Sequence, residues 1–551
     1  MQSLFRANLQ VGSSKLFETH HARSRDAENW TSQMNFKMFS HQLLAKIDTL
    51  THKQLIGILA LIAGLITVRI QYVHMGWINS DSVLYLEAAK WMVAGDFTKA
   101  LAIYNWPFYS ICIATVSKIF HTPIFLSAQI LSTVFFMLAT TALLNIVSLL
   151  GGNNRTIVIG AITLFGCDYI VGDILPMLMR DQGYWAFFLL SVWAFIKFTD
   201  HPTWLMGGLW QVSVITATLF RIEGIFYLAL PLVLLFEHEK SWRCRLTQWL
   251  KANYLNLLGL ALLLIGILLL NAQQIGRLQE LSPSNIVQAY SEKLLNKSDI
   301  MSYQVLGRFL EEYGIFVILT GLFFITIIKS IFSAGAICFA LVIKHFWDRD
   351  RMSVRLRVIY AVMLISFIGM YLIITKVFIL SGRYTIAMAF MLLILASFGI
   401  AKLLQNHSAR YSKKIAVIVL LIFSITLLKN LMPKPEGFNF RQDAMIWLKQ
   451  NNTMHEPVFF NDVRLSYYYD DESVFLKITS QRSNRDIYQN PSFETLHKYK
   501  YIALYKTKDD KALYQLIKSN TNQFLEIKLF VNDKHDKSVS IFKNINYLNN
   551  L

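Results

Sequence analysis

Apolar runs about as long as a bilayer is thick recur along most of this chain, and no other feature restricts its fold as much. "LIGILALIAGLITVRIQYVH" (55–74) is the first. About 20 residues wound as an α-helix reach ~30 Å, the depth of the hydrocarbon core. Inside lipid every backbone N–H and C=O must be satisfied within the protein, so such runs are expected to be helices. Spans are predicted at about 54–73, 123–149, 155–172, 183–199, 203–220, 222–237, 252–271, 313–343, 357–379, 384–404 and 414–431, about eleven in all. With 54% hydrophobic and 16% charged residues, the chain has too little charge for a soluble protein of its size. The expected class is an all-α polytopic membrane protein.

The run "IYNWPFYSICIATVSKIF" (103–120) has a short apolar core, many aromatics and Lys118, which suits a helix lying in the interface. Loop charges test that choice. With the N-terminus in the cytoplasm and 103–120 on the outer surface, the loops "GGNNR", "KFTDHP", "EHEKSWRCR", "KHFWDRDRMSVRLR" and "QNHSARYSKK" fall inside. These hold the most basic short loops, as the positive-inside rule requires. The same rule accounts for the net charge of +18, so nucleic acid is not the expected partner. It also favours one long tilted span over two short helices for 313–343.

Three regions follow: a cytoplasmic tail (1–52), a membrane domain (53–431) with an outer first loop (74–122), and a soluble outer domain (432–551). In the last, "RQDAMIWLKQ" and "KALYQLIK" read as helices, and "EPVFF", "YIALY", "FLEIKLFV" and "SVSIF" as strands of a small α/β unit. Cys112, Cys167, Cys244 and Cys338 are scattered without CxxC spacing and suggest neither disulfides nor a zinc site.

On the outer side this topology gathers the segment around Asp81, the loop "DILPMLMRDQG", the loop from Asn271 to Tyr313, and "SGRY" (381–384). In "NSDSVLYLEAA", Ser80, Asp81 or Ser82 could cap the helix that follows, and Asp81 could equally be a catalytic carboxylate. Asp96 reads as a plain turn after that helix. Arg180 and Asp181 precede a span. Arg221 and Glu223 interrupt nearly continuous apolar sequence, where ionisable groups signal either function or a mutual ion pair. Arg383 suits a lipid phosphate, since its planar fork matches phosphate oxygens. With Tyr384 it could also be an interfacial snorkelling pair. Trp106-Pro107-Phe108-Tyr109 would anchor a surface helix among headgroups.

"NSDSVLYLEAAKWMVAGD", "WPFY", "MRDQG", "RIEG" and "SGRY", in that order, resemble the GT-C superfamily of integral-membrane glycosyltransferases over roughly residues 54–410. The likeness is to the protein mannosyltransferase and aminoarabinose transferase type. It implies transfer of a sugar from a polyprenyl-phosphate donor to a lipid, glycan or protein acceptor, with inversion at the anomeric centre. It implies Asp81 and Asp181 as the catalytic acids, and Arg383, Tyr384, Arg180 and Arg221 around the donor phosphate. Trp106, Tyr109 and Glu223 would contact substrate. Some members use a divalent metal at the first acid; no cofactor is otherwise implied. The chain departs from the pattern at Asn105-Trp106, where many relatives have a lysine, and at Phe108, where leucine is usual. The setting would be a bacterial inner membrane with a periplasmic site. The competing readings are an O-antigen polymerase or ligase, and a transporter or lipid flippase. The early Asp-helix-Gly-Asp segment disfavours the first. The lack of repeat symmetry disfavours the second.

Overall fold

The computed structural model describes residues 42, 45–237, 240–269, 283–347, 353–405, 410–433, 439–470, 496–506 and 511–547. Most of the expected tail 1–52, and parts of the basic loops, lie outside these.

Helices dominate up to residue 431. They are α1 (His52–Val73), α2 (Ser80–Ala94), α3 (Phe97–Ile103), α4 (Phe108–Phe120), α5 (Ile124–Leu149) and α6 (Asn154–Phe165). A π-helical turn (Asp168–Ile174) leads to α7 (Arg180–Asp200) and α8 (Trp204–Phe220), then a 3-10 helix (Ile222–Phe236). After it come α9 (Trp242–Leu269), α10 (Pro283–Ile300), α11 (Gly314–Phe332), α12 (Ala336–Trp347), α13 (Val354–Val377), α14 (Ile386–Gln405) and α15 (Arg410–Leu431). Among the described residues six helices are long and apolar enough to cross a membrane, or seven if α6 and the π-helical turn, bent by 43°, form one span. The chain is thus a multi-pass membrane protein, with fewer spans established than the eleven expected.

Two predicted spans take another form. The 313–343 run is not one tilted helix: it breaks into α11 and α12 at a turn that ends on Gly335, whose φ of +90° a side chain would resist. Twelve residues of α12 reach only ~18 Å, too short to cross alone. The later helices keep their direction: α13 begins at the end where α7 finishes, with Arg355 Nε donating to Asp200 at 2.9 Å. The 222–237 run is a 3-10 helix with Pro231 inside it. Its buried residues are Gly224, Tyr227, Leu230, Pro231 and Leu234, and apart from the adjacent Leu230-Pro231 pair they follow the three-residue turn of that winding. Tyr227 fastens it to α13 through Ser366 at 2.8 Å.

The bundle has two polar ends. At one, His52 meets Ser148 at 2.7 Å, Asn154 donates to the carbonyls of Ile47 and Leu50, and Arg155 pairs with Asp48 at 2.6 Å. Arg355 joins the ends of α5 and α7 there, through the Leu149 carbonyl and Asp200. At the other end lie the starts of α2 and α7, the α8 terminus and Arg383. The thirteen residues of α4 make ~20 Å of helix, too short to cross. Trp106, just before it, donates to the Leu219 carbonyl at 2.6 Å and closes the end of α8.

That second end is covered by the C-terminal region: α16 (Phe440–Asn451), β1 (Val458–Phe460), α17 (Val463–Tyr469), β2 (Tyr501–Lys506), α18 (Lys511–Ser519), β3 (Phe524–Val531) and β4 (Ser538–Asn544). The strands pair in the order β1-β2-β4-β3, with β1 parallel to β2 and the other pairs antiparallel. "YIALY" is apolar throughout because β2 is buried on both faces. Ala444, Met445 and Leu448 of α16 cover Ala503; Leu513 and Ile517 of α18 cover Ile502 and Leu504. Docking onto the bundle uses Lys90–Asp470 at 2.8 Å and Tyr468, which donates to the Gly76 carbonyl at 3.1 Å. Gly76 (φ +81°) also lies so close to Asn439 that a Cβ would strike its side chain at 1.8 Å.

Candidate active site

A cavity of about 260 Å³ opens at this covered end, lined by Asp81, Leu84, Tyr85, Tyr104, Arg180, Arg221, Ser381, Arg383 and Tyr384. Segments far apart in sequence supply it, and helix ends position each one.

Asp81 is the second residue of α2, not its cap. The cap position is Asn79, whose side chain makes no capping bond and instead reaches Met179 Sδ at 3.2 Å. Asp81 turns to Arg383, accepting from Nη1 at 2.8 Å. Tyr85 stands one turn further on and so projects on the same face, its ring edge-on to Tyr104 at 4.9 Å. At the far end of α2, Asp96 is no plain turn: it caps α3 by accepting from the Lys99 N–H at 2.9 Å.

Asp181 sits in the first turn of α7, where the helix dipole favours an anion, and is 1% exposed. Arg383 grips it with two nitrogens, Nε at 3.2 Å and Nη2 at 2.7 Å. Arg221 bonds the same carboxylate through Nη1. Arg221 also holds Glu223 with Nε at 3.2 Å and Nη2 at 3.0 Å, so the ion pair considered from the sequence is present. The result is a ladder: Asp81, Arg383, Asp181, Arg221, Glu223. Burying such charges is tolerable only when each has an opposite partner and satisfied hydrogen bonds. Tyr184 and Tyr384 add ring faces 5.9 and 5.2 Å from the Arg221 guanidinium.

Arg180 differs from its neighbours. It lines the cavity, and no carboxylate among the described residues forms an ion pair with it. Its Nε is buried without a hydrogen-bond partner, and its guanidinium lies 5.8 Å from the Tyr104 ring. This is a cation left available to an anion in the cavity.

The structure therefore brings together Asp81, Asp181, Arg180, Arg221, Glu223, Arg383 and Tyr384, all named from sequence, but in two layers. Asp181 and Glu223 stand behind the wall. Trp106 is used in closing α8. Tyr109 is buried against Tyr85 and Phe220, off the wall, with its hydroxyl unpartnered. Sequence reasoning missed Tyr85, Tyr104, Leu84 and Ser381. The one-turn spacing from Asp81 signalled Tyr85; nothing local signalled Tyr104.

A divalent cation at the first acid does not fit these residues. The space between Asp81 and Asp181 is bridged by the Arg383 guanidinium, and no group of three or more His, Cys, Asp or Glu among the described residues is placed to hold a metal.

No family model matches the chain, and no curated protein does either. Solved structures similar to it include ArnT from Cupriavidus metallidurans bound to undecaprenyl phosphate, at 11% identity, and the same protein in the apo state, at 13%. In each the alignment covers 88% of this chain and 97% of the other, with a TM-score of 0.48. A likeness at that level says nothing of activity.

Proposed function

We propose that this protein is a membrane glycosyltransferase that moves a sugar from a polyprenyl-phosphate donor to a cell-envelope acceptor. The observation that carries this reading is the cavity wall: one carboxylate, Asp81, and three guanidiniums, Arg180, Arg221 and Arg383, at one end of a membrane bundle. The motif order that resembles GT-C enzymes supports it. So does the placement of basic loops such as those bearing Arg155 and Arg355 at the opposite end. By the positive-inside rule that end is cytoplasmic, which leaves the cavity facing the periplasm of a bacterial inner membrane.

In the reaction, the donor's prenyl tail stays in the bilayer and its phosphate enters the cavity beside Arg180 and Arg383. The Asp81 carboxylate takes the proton of an acceptor hydroxyl. The acceptor oxygen forms its bond to the anomeric carbon as the bond from that carbon to the phosphate oxygen breaks. The phosphate leaves with the electron pair, and the guanidiniums stabilise the added charge. A single displacement inverts the anomeric centre. Asp181 and Glu223 are positioning residues that hold Arg383 and Arg221. Tyr85 and Tyr104 offer ring faces to the sugar.

The test is Asp81→Asn in the native host, with expression checked, followed by analysis of cell-envelope glycans. Loss of one glycan modification supports the reading; an unchanged profile from a fully expressed variant overturns it.

A further inference from the structure

We propose that Arg383 changes partners during the cycle: the donor phosphate displaces Asp81 from it, so the carboxylate is released for proton transfer only once the donor is bound. This rests on the transferase reading above.

The two halves of the Arg383 fork are held unequally. Nε and Nη2 bind Asp181, which is buried and is gripped from its other side by Arg221. Nη1 binds Asp81 through a single contact, and the Asp81 side chain is 29% exposed. A guanidinium so placed exchanges its Nη1 partner without leaving Asp181. The planar fork makes this possible, because its donors point in fixed and separate directions.

The unpartnered Nε of Arg180 in the cavity points to what arrives. The ladder's three carboxylates outnumber its two guanidiniums by one, and Arg180 balances that excess while forming no ion pair with a carboxylate among the described residues. Arg180 and Arg383 line the same cavity. A singly charged phosphodiester entering it meets one cation that is available and one that is shared. Charge-assisted bonds to phosphate are as strong as those to carboxylate, so the Asp81 contact is the one that yields.

Before the exchange, Oδ2 of Asp81 is occupied by the Arg383 N–H. Afterwards that oxygen faces the acceptor. Donor binding therefore precedes productive acceptor binding, and the empty site has little capacity to activate water or a stray hydroxyl.

The test is binding of a polyprenyl monophosphate to the full-length protein in detergent, by calorimetry. Asp81→Asn removes the competitor, so affinity is expected to rise about five- to tenfold. Arg180→Gln is expected to weaken binding by at least about tenfold. Repeating Asp81→Asn on an Arg383→Lys background closes the cycle. Lysine keeps a cation against Asp181 but lacks the fork, and the gain is expected to shrink to within about twofold. If Asp81→Asn binds no tighter than the parent, or if the gain persists undiminished on the Arg383→Lys background, the exchange is overturned. If the parent protein does not bind the lipid phosphate at all, the transferase reading itself fails.

Discussion

Both polar ends of the bundle are tied by arginine–carboxylate pairs, yet the pairs are built differently. At the end opposite the cavity, Arg155–Asp48 and Arg355–Asp200 are separate contacts with largely or partly exposed partners. They fasten helix ends in water, where a pair contributes little. At the cavity end the same chemistry is buried and shared. Arg221 is 3% and Asp181 1% exposed, and Arg383, Asp181 and Arg221 each hold two oppositely charged partners. Exposed pairs can be removed one at a time. In the shared ladder Asp181 holds both arginines at once, while Asp81, at one end, lines the cavity.

The comparison can be broken at several points. The largest effect is expected for Asp81→Asn, which should lower the transfer rate by about 10²- to 10⁴-fold while leaving thermal unfolding nearly unchanged, as read by transfer assay and melting of the purified protein. Asp181→Ala should cost about 3 kcal/mol or more, because it removes the carboxylate between two buried cations; a chaotrope titration in detergent measures this. Were the two ends alike, Arg355→Ala would cost as much. It should instead cost about 1 kcal/mol, the scale of a solvated pair. Equal losses for the two variants would end the distinction.

A smaller and pH-dependent effect belongs to the C-terminal region. Burial pushes the Asp462 carboxyl up, but its bonds from Arg464, with Nε at 2.8 Å, outweigh this and hold it below the usual range. A carboxyl depressed on folding stabilises above its unfolded value, near ~3.9, and loses that contribution as pH falls through the folded value. Asp462→Asn should flatten the part of the melting-temperature profile below about pH 4, whereas the parent keeps its slope there.

Much of this was legible in the sequence because hydropathy and loop charge report which residues reach a given end. Asp81, Asp181 and Arg383 were assigned to one side from the loops alone, and their side chains meet there. The alternation and apolar runs of "EPVFF", "YIALY", "FLEIKLFV" and "SVSIF" likewise became four strands. Depth behind a surface has no such signal. Asp181 reads like Asp81, an acid at a helix start, and only packing against Arg221 and Arg383 places it in the second layer. Capping was misassigned for a related reason: several adjacent polar residues can cap, and the carboxylate went to a partner 302 residues away. The break at Gly335 was hidden by apolar sequence on both sides of it.

The three-residue winding of Ile222–Phe236 also acts as a ruler. At ~2.0 Å per residue its fifteen residues extend ~30 Å, against ~22 Å for an α-helix of the same length. Arg221 stands where α8 ends and this segment begins, so both windings set its height above the opposite end. Rewound as an α-helix, the segment would fall short by ~7 Å, far more than a hydrogen bond to Asp181 can stretch. The ladder therefore depends on α8 and this 3-10 segment meeting at the height of Asp181.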